Sequence, residues 1–257
     1  MNRSVKEIQE LLKGEELSFD LLMEIEQDSR VSVQKLYGTY IRRKQKELKE
    51  LARLKALYTY EEKQYEKGIY HIAGVDEVGR GPIAGPVTVA AVILPMYWEG
   101  KGLNDSKKLS PAKREVLYEK IMAEAVAVSC VSLSSEEIDR LNIYQAAKEG
   151  MYRAIASLPV PAEYVLSDAM PLSKLTVPWE SIIKGDAKSA SIAAASIVAK
   201  VTRDRMMEEY DRLYPGYGFA QHKGYFTAEH KNAVERLGPC PIHRRSFEPI
   251  SSMIQLF

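Results

Sequence analysis

The sequence predicts a mixed α/β sheet flanked by helices, with a helical N-terminal extension. Residues 1–69 have a helical pattern, and short apolar segments rich in β-branched residues begin at Tyr70. Helical and strand-like segments alternate after them, as in α/β folds. A chain of 257 residues suits one core domain with an appendage. We therefore expect an extension at 1–69 and a larger domain at 70–257 that ends in helical segments.

The extension is predicted to be helical because leucines recur at helical spacing until Gly68. These leucines are Leu48, Leu51, Leu54 and Leu57. Its charge is uneven, since 1–29 carry three basic and eight acidic residues whereas 30–55 carry nine basic and two acidic. The basic run Arg42-Arg43-Lys44 is either a solvated helical face or an arm that contacts phosphates.

The larger domain begins with a strand that ends on Asp76-Glu77, and a β-branched segment closed by Pro95 follows it. Helical patterns and one more strand come next. The helices are predicted at 111–126, 135–158 and 187–213, and the strand at 164–168. Tyr214-Pro215-Gly216 breaks the long Ala-rich helix.

Composition excludes several classes of protein. No segment approaches the roughly 18 apolar residues that a membrane span requires, and the charged N-terminus lacks a signal core. The two cysteines, Cys130 and Cys240, are too few for a four-thiolate metal site and suit a reducing cytoplasm. We therefore expect a cytoplasmic protein without a membrane partner.

Three familiar motifs are excluded on physical grounds. Pro82 and the β-like segment after it leave Gly79-x-Gly81-x-x-x-Gly85 without the helix that a dinucleotide site requires. Ser110-Pro111 is typical of a helix start, so Ser110-x-x-Lys113 is not a nucleophile pair. The four histidines lack the spacing of zinc ligands.

Four carboxylates lie where predicted strands and loops end: Asp76, Glu77, Asp168 and Asp186. Taken singly, Asp168 could be a turn residue and Asp186 the N-cap of the long helix. Adjacent residues of an ideal strand point to opposite faces, so Asp76 and Glu77 share a site only if the strand ends or bulges there. Carboxylates at strand ends of an open α/β sheet tend to line one crevice.

Together these acids predict a site for two Mg²⁺ or Mn²⁺ ions. Packed carboxylates require cations to remain ionised, and oxygen ligands without a Cys/His cluster favour these hard metals over zinc. Two such ions can hold the attacking and leaving oxygens of a phosphodiester displacement. The alternative chemistry, a general acid and base acting on a sugar, leaves the surrounding lysines unexplained.

The basic residues near these acids suit a polyanionic substrate. Ser189, Ser196, Lys200 and Arg203 would form one stripe on the long helix, either following phosphates or facing solvent. Lys107 and Lys108 add two cations, Lys184 lies just before Asp186, and Gly79-Arg80-Gly81 allows close backbone approach. Tyr225 either stacks on a base or sugar or packs in the interior.

The segment 74–87, Gly-Val-Asp-Glu-Val-Gly-Arg-Gly-Pro-Ile-Ala-Gly-Pro-Val, closely resembles the first signature of the ribonuclease HII family. The resemblance covers about 70–249 in the family's order, and nothing is carried onto 1–69. Its other segments are 105–109, 141–143, 184–186, 191–204, 222–225 and 241–244.

The resemblance implies a ribonuclease H-like fold and metal-dependent cleavage of RNA in DNA–RNA duplexes. It also implies cleavage 5′ of a single ribonucleotide embedded in DNA, giving 3′-hydroxyl and 5′-phosphate ends, as ribonucleotide excision repair requires. The four acids match the family's metal-binding acids. Gly79-Arg80-Gly81 matches the segment that senses the ribose 2′-hydroxyl, and Tyr225 the tyrosine that stacks on the sugar beyond the junction.

Two alternatives stay open at this point. A ribonuclease HIII-like nuclease would lack junction specificity, but that family carries Lys where Arg80 stands and lacks the junction tyrosine. A non-cleaving hybrid-binding module is the other, although four unneutralised acids would repel phosphate. The expected partners are hybrid duplexes and ribonucleotide-containing DNA, bound by a monomer.

The apolar C-terminal tail also has two interpretations. Leu256 and Phe257 either fold back onto the core or enter the pocket of a partner. A terminal Leu-Phe resembles peptides that bind the replication sliding clamp, although Gln255 directly precedes Leu256 instead of lying several residues upstream.

Overall fold

The computed structural model describes residues 3–14 and 17–254, and the chain divides into two compact units, 1–55 and 56–257. These compact units divide before residue 69, the domain boundary that the sequence predicts, which stays a prediction. The reason for the earlier division is a short helix, α4 (Thr59–Tyr65). Tyr60 and Tyr65 of this helix pack against a buried cluster of the larger unit that includes Ile72 and Leu166.

The first unit is helical, as predicted. Its helices are α1 (Val5–Lys13), α2 (Phe19–Glu26) and α3 (Val31–Leu57). Ser4 and Glu7 form a capping box at the start of α1. Ile8, Ile25 and Val33 are fully buried between the helices. The basic run on α3 is exposed at Arg42, whereas Arg43 donates to the carbonyl of Leu12 at 2.7 Å. Phosphate binding by this run stays a prediction.

The second unit is built on a five-stranded mixed sheet in the order β3-β2-β1-β4-β5. The strands are β1 (Ile72–Val78), β2 (Val87–Ile93), β3 (Ala127–Leu133), β4 (Tyr164–Asp168) and β5 (Trp179–Ile182). The further helices are α5 (Pro111–Glu124), α6 (Ser135–Leu141), α7 (Ile143–Ala156), α8 (Ala190–Leu213), α9 (Phe219–His222), α10 (Ala228–Leu237) and α11 (Ile250–Ile254). The first three strands are antiparallel, and β1, β4 and β5 are parallel. The predicted fold class is confirmed.

Both faces of the sheet are covered by helices. Val75 of β1 and Val89 of β2 belong to the buried cluster that includes Ala147 of α7. Ile72 of β1 instead belongs to the cluster that includes Ile192 of α8, as side-chain alternation requires. Although α8 is Ala-rich and largely buried, none of the helices in the described ranges is long and apolar enough to cross a membrane.

Two features of the sheet region differ from the sequence-based prediction. Strands β3 and β5 were not predicted, because the buried face of β3 includes the polar Ser129 and β5 has four residues. The helix predicted at 135–158 is two helices that meet at Asn142. This residue has φ +65°, and its side chain caps α7 by accepting from the backbone N–H of Gln145 at 3.1 Å.

The approach of α8 to β1 depends on Gly74. A Cβ atom at this position would overlap with the backbone of Ser191 and Ile192 at the start of α8. The helix therefore lies directly on the strand, two residues before Asp76. Since the obstruction is backbone and not a flexible side chain, the two elements would have to separate to admit a methyl group.

We expect Gly74→Ala to lower the free energy of unfolding by about 3 kcal/mol or more, because the added methyl group forces α8 away from β1. The control is Gly38→Ala on α3, where no heavy atom lies within 4 Å of the added Cβ. That change should leave stability equal or raise it by about 0.5–1 kcal/mol. Chemical denaturation followed by circular dichroism measures both. Equal stability of the two variants would contradict this packing.

Candidate active site

Three carboxylates meet at one edge of the sheet. Asp76, Asp168 and Asp186 each offer an oxygen within 4.8 Å of the other two. Asp76 and Asp186 are buried, and Asp168 is partly exposed. The structure thus brings together three of the four acids singled out in the sequence.

Strand register explains why Asp76 and Asp168 are neighbours. The parallel β1–β4 pair aligns Gly74 with Leu166 and Val75 with Ser167. The next pair in this register is Asp76 with Asp168. Leu166 belongs to the buried cluster on the α8 side of the sheet, so the period of two puts Asp168 on that side as well.

Asp186 reaches the pair through a short turn after β5. It lies in a 3₁₀ turn, Gly185–Ala187, and the backbone N–H of Gly185 donates to Oδ1 of Asp168 at 2.7 Å. The N-cap of α8 is Ser189, whose hydroxyl oxygen accepts from the N–H of Ile192 at 3.2 Å. The N-cap interpretation of Asp186 is therefore wrong, and its carboxylate is available to the cluster.

Glu77 lies beside this cluster and not within it. The β1–β2 pairing continues regularly to Val78 opposite Thr88, so the strand has no bulge that would turn Asp76 and Glu77 to one face. Oε1 of Glu77 accepts from Arg80 at 3.1 Å. Oε2 is buried and, among the described residues, has no hydrogen-bond partner.

Crowding of the acids changes their protonation. Burial and the charges of Glu77 and Asp168 raise the pKa of Asp76 well above its usual range. Burial raises the pKa of Glu77 to about 7, although Arg80 opposes the shift. Burial, Asp105 and Asp168 raise the pKa of Asp186. Without a cation, the folded site therefore favours protonated carboxyl groups.

This donor set fits a hard divalent cation. Three carboxylates converge within one ligand sphere, and the buried, unpartnered Oε2 of Glu77 offers a further oxygen nearby. Oxygen ligands alone are the preference of Mg²⁺ and Mn²⁺. A bound cation would supply the positive charge that stabilises the buried carboxylates in their ionised form.

Lys107 and Asp105 complete the charges at this edge. Partial burial lowers the pKa of Lys107, but the carboxylates of Asp76, Asp186 and Asp105 outweigh it and the net pKa is raised. Asp105 also accepts from the backbone N–H of Lys107 at 2.9 Å. Asp105 also raises the pKa of Asp186, so it lies close to this cluster. Sequence reasoning treated its segment as basic and missed it, although an acid two residues before Lys107 was a visible signal.

The loop after β1 has a conformation that only glycine permits at residue 79. Gly79 has φ +95°, and a Cβ atom there would overlap with the side chain of Arg203. Arg203 donates through Nε to the carbonyl of Pro86 at 2.9 Å and through Nη2 to Ala84 at 3.2 Å. The C-terminal end of this loop is therefore held by one guanidinium group.

A second buried arginine holds the same loop. Arg244 is fully buried and donates to the carbonyls of Gly79, Arg80 and Gly85 at 2.5, 3.0 and 2.9 Å. Burial lowers the pKa of Arg244 to about 9, and the charge of Arg203 adds to this shift. The carbonyls of Gly79 and Arg80 thus point inward, while Arg80 and Gly81 are exposed.

The predicted stripe on α8 requires correction. Ser189 and Arg203 are fully buried and Ser196 is 4% exposed, so this face of α8 packs inside the protein. Arg203 therefore does not contact a substrate phosphate, because its guanidinium binds loop carbonyls instead. Lys200 is half-buried and pairs with Asp204 at 2.6 Å. Lys107 and Lys184 are exposed, as substrate contact requires.

Tyr225 lies against the same loop. Its ring is next to Gly81, where a Cβ atom would come within 3.5 Å of Cε1 of the tyrosine. Tyr225 is 47% exposed, which contradicts the interior-packing interpretation. The carbonyl of Gly224 accepts from the N–H of Ile83 at 3.0 Å, so the two loops are joined through their backbones. Residues far apart in the sequence thus form one exposed surface.

Two buried histidines fix the position of the Tyr225 backbone. Nδ1 of His230 lies 2.9 Å from the carbonyl of Tyr225 and must donate to it. Burial lowers the pKa of His230 and of His243 to about 4, so both rings are neutral near pH 7. Nε2 of His230 then accepts from Nε2 of His243 at 3.1 Å, and Nδ1 of His243 accepts from the N–H of Cys240 at 2.9 Å.

The strand order and the acids at the strand ends define a metal-dependent hydrolase of ribonuclease H architecture. Residues 73–250 match the family model described as Ribonuclease HII, and residues 4–65 match Ribonuclease HII N-terminal domain. The chain belongs to the ribonuclease HII family and is a metal-dependent endoribonuclease that acts on RNA in RNA–DNA hybrids. The second match shows that the helical extension also belongs to the family pattern. The motifs recognised in the sequence had assigned it no role.

Individual relatives agree with this assignment. Ribonuclease HII of Bacillus cereus strain AH820 is 51% identical over 248 residues, covering 96% of this chain and 95% of that protein. Ribonuclease H2 of Pyrococcus horikoshii OT3 superimposes with a TM-score of 0.62 at 27% identity, over 72% of this chain and 97% of that one. The PCNA:RNase HII complex of Archaeoglobus fulgidus gives a TM-score of 0.56 at 26% identity, over 69% and 95%.

The buried histidines predict a pH dependence of stability. Between pH 6.5 and about 4 the unfolded chain binds protons that the folded chain does not, so the free energy of unfolding falls as the pH falls. His243→Gln should destabilise the protein at pH 7, and its deficit relative to the wild type should shrink towards pH 4. Thermal unfolding over a pH series measures this. Since the carboxylates are common to both proteins, a constant deficit would contradict the neutral pair.

Proposed function

We propose that the chain cuts 5′ of a ribonucleotide embedded in duplex DNA, leaving 3′-hydroxyl and 5′-phosphate ends. The observation that carries the proposal is the contact between Tyr225 and Gly81, which joins a half-exposed aromatic ring to an exposed backbone loop directly after Glu77. An aromatic ring can stack on a sugar or base, and backbone groups can recognise a 2′-hydroxyl. The loop follows β1, the strand that carries Asp76 and Glu77.

Asp76, Asp168 and Asp186, with Glu77 beside them, are the residues proposed to hold the metal ions. Mg²⁺ or Mn²⁺ bound there would supply an activated water and stabilise the charge on the leaving oxygen. The chain's own contribution is to hold the carboxylates in one place. Lys107 and Lys184 are exposed near the acids, so they can attract the phosphodiester backbone.

Discrimination between ribose and deoxyribose is proposed for the backbone of Gly79-Arg80-Gly81. Only the 2′-hydroxyl distinguishes the two sugars, so a rigid set of backbone donors and acceptors is required. Arg203 and Arg244 provide that rigidity, because together they fix carbonyls at both ends of the loop. The loop therefore does not have to be ordered when substrate binds.

The two alternatives are less well supported. Membership of a hydrolase family sets aside a non-cleaving hybrid-binding module. A ribonuclease HIII-like activity without junction specificity is disfavoured by the family match and by the presence of Arg80 and Tyr225. Cleavage of a duplex with one ribonucleotide, compared with a continuous hybrid, separates the two activities.

Asp168→Asn should reduce cleavage by more than about 100-fold, since a direct ligand matters at least as much as the groups that orient it. Duplex binding should persist, because the substitution removes a negative charge and therefore adds no repulsion of the phosphates. The asparagine oxygen can still accept from Gly185, so folding should be kept. Asp20→Asn, an exposed carboxylate of the first unit, is the control. Near-normal turnover by Asp168→Asn would contradict the proposed metal-binding role of Asp168.

Tyr225→Ala should reduce cleavage at a single ribonucleotide by roughly 5- to 150-fold, the equivalent of a lost stack of about 1–3 kcal/mol. Tyr225→Phe keeps the ring and should remain close to the wild type. Kinetics on the two duplexes, with melting temperatures of both variants, check this. A large fall in melting temperature with unchanged specific activity would instead assign the ring to packing.

We also propose that the C-terminal tail binds a replication sliding clamp. The support is the Archaeoglobus complex of a ribonuclease HII with PCNA and the apolar end of this chain. Helix α11 ends at Ile254, and Leu256 and Phe257 lie outside the described residues. The full chain should bind purified clamp at least about tenfold more tightly than a chain ending at Met253, as calorimetry can measure. Equal affinities would leave the tail without this role.

A further inference from the structure

Glu61 is a fully buried carboxylate outside the segment that matches the family's nuclease model. It lies on α4, before residue 73 where that match begins, and its exposure is 0%. Its Oε1 accepts from the hydroxyl of Ser189 at 2.6 Å and from the backbone N–H of Ser191 at 3.0 Å. Both donors belong to the start of α8. An acid on a helix that precedes the first strand of the sheet thus holds the first turn of α8, the longest helix in the second unit.

The first turn of α8 is also where the metal site is attached. Ser189 follows Asp186 by three residues, and its backbone N–H donates to the carbonyl of Gly185 at 2.8 Å. Gly185 in turn donates to Asp168. Ser191 lies directly on Gly74, two residues before Asp76. A shift of this turn would therefore change the position of Asp186 relative to both other acids.

Glu61 is costly to keep for packing alone. Its Oε2 is buried and has no hydrogen-bond partner among the described residues, and a buried polar atom without a partner destabilises a fold. An apolar side chain of similar length would avoid this cost. What an apolar side chain cannot do is accept the two hydrogen bonds from Ser189 and Ser191.

We propose that Glu61 is a positioning residue for the metal site, acting through α8 on Asp186. This inference rests on the proposed metal-binding role of Asp186. It also means that the working nuclease begins before residue 70, because a chain cut at the boundary predicted from sequence would lose the acceptor for the first turn of α8.

The test uses full-length protein carrying Glu61→Met, which removes both acceptors at similar length, or Glu61→Gln, which keeps one acceptor oxygen. Glu66→Gln, an exposed acid just after α4, is the matched control. Mn²⁺ binding to the metal-free proteins is followed by electron paramagnetic resonance of free Mn²⁺. Cleavage of a continuous hybrid is measured over an Mn²⁺ titration, with melting temperatures alongside.

Glu61→Met should bind Mn²⁺ about 10- to 100-fold more weakly, the usual effect of removing a group that orients a ligand. Its kcat should recover at high Mn²⁺, and its KM for the duplex should stay unchanged. Glu61→Gln should lie within a few-fold of the wild type, and Glu66→Gln should equal it. A role in stability alone would lower the melting temperature without changing the Mn²⁺ requirement of the folded enzyme.

Wild-type Mn²⁺ affinity in folded Glu61→Met would overturn the inference, as would a Glu61→Gln variant as weak as Glu61→Met. If Glu61→Met does not fold, Ser189→Ala removes one of the two donors and should also weaken Mn²⁺ binding; unchanged binding would overturn the inference. Asp186→Asn separates the two levels of argument. If Asp186→Asn binds Mn²⁺ normally, the proposed metal site is wrong. If Asp186→Asn loses Mn²⁺ binding and Glu61→Met binds Mn²⁺ normally, the metal site stands and only the role of Glu61 is wrong.

Discussion

Mutual repulsion of the carboxylates is the constraint on which the site depends. Asp76, Asp168 and Asp186 are held within 4.8 Å of one another, in surroundings that disfavour charge. Flexible side chains on loops would move apart. The acids stay together because Asp76 and Asp168 lie on adjacent paired strands and Asp186 is tied through Gly185 to Asp168. Folding thus keeps these carboxylates close together, and either protonation or a bound cation relieves their repulsion.

The loop that begins at Gly79 is also held by buried charged groups, which here are cations. Arg203 and Arg244 are buried side by side, and burial lowers the pKa of both, to about 10 and about 9. Their hydrogen bonds go to carbonyls of the loop that begins at Gly79. Neither guanidinium is directed at solvent, so their contribution is to fix backbone groups. Arg203 and Arg244 lie in segments that resemble the family's motifs, and in this protein they support a loop. Arg80, between the two glycines, is instead exposed.

The sequence predicted most of the fold because its signals are local. Short apolar segments and β-branched residues located β1, β2 and β4, and Ser110-Pro111 marked the start of α5. The missed strand β3 is half-exposed, and β5 is too short to show a period. The split at Asn142 required a left-handed residue that a helical pattern does not reveal. The compact units divide before residue 69 because α4 packs against the sheet through contacts that are not local in the sequence.

By itself, the sequence determined the family and the sheet-and-helix class, and it singled out the three aspartates that the structure brings together, since residue types and their order carry these. Tertiary structure alone decided what each residue does. It placed Glu77 beside the three aspartates instead of among them, because a regularly paired strand turns neighbours to opposite faces. It buried Arg203, which helical spacing had placed on a substrate-facing stripe, and it brought Tyr225 to Gly81 and Glu61 to Ser189. Such contacts join residues more than a hundred positions apart, and no local pattern encodes them.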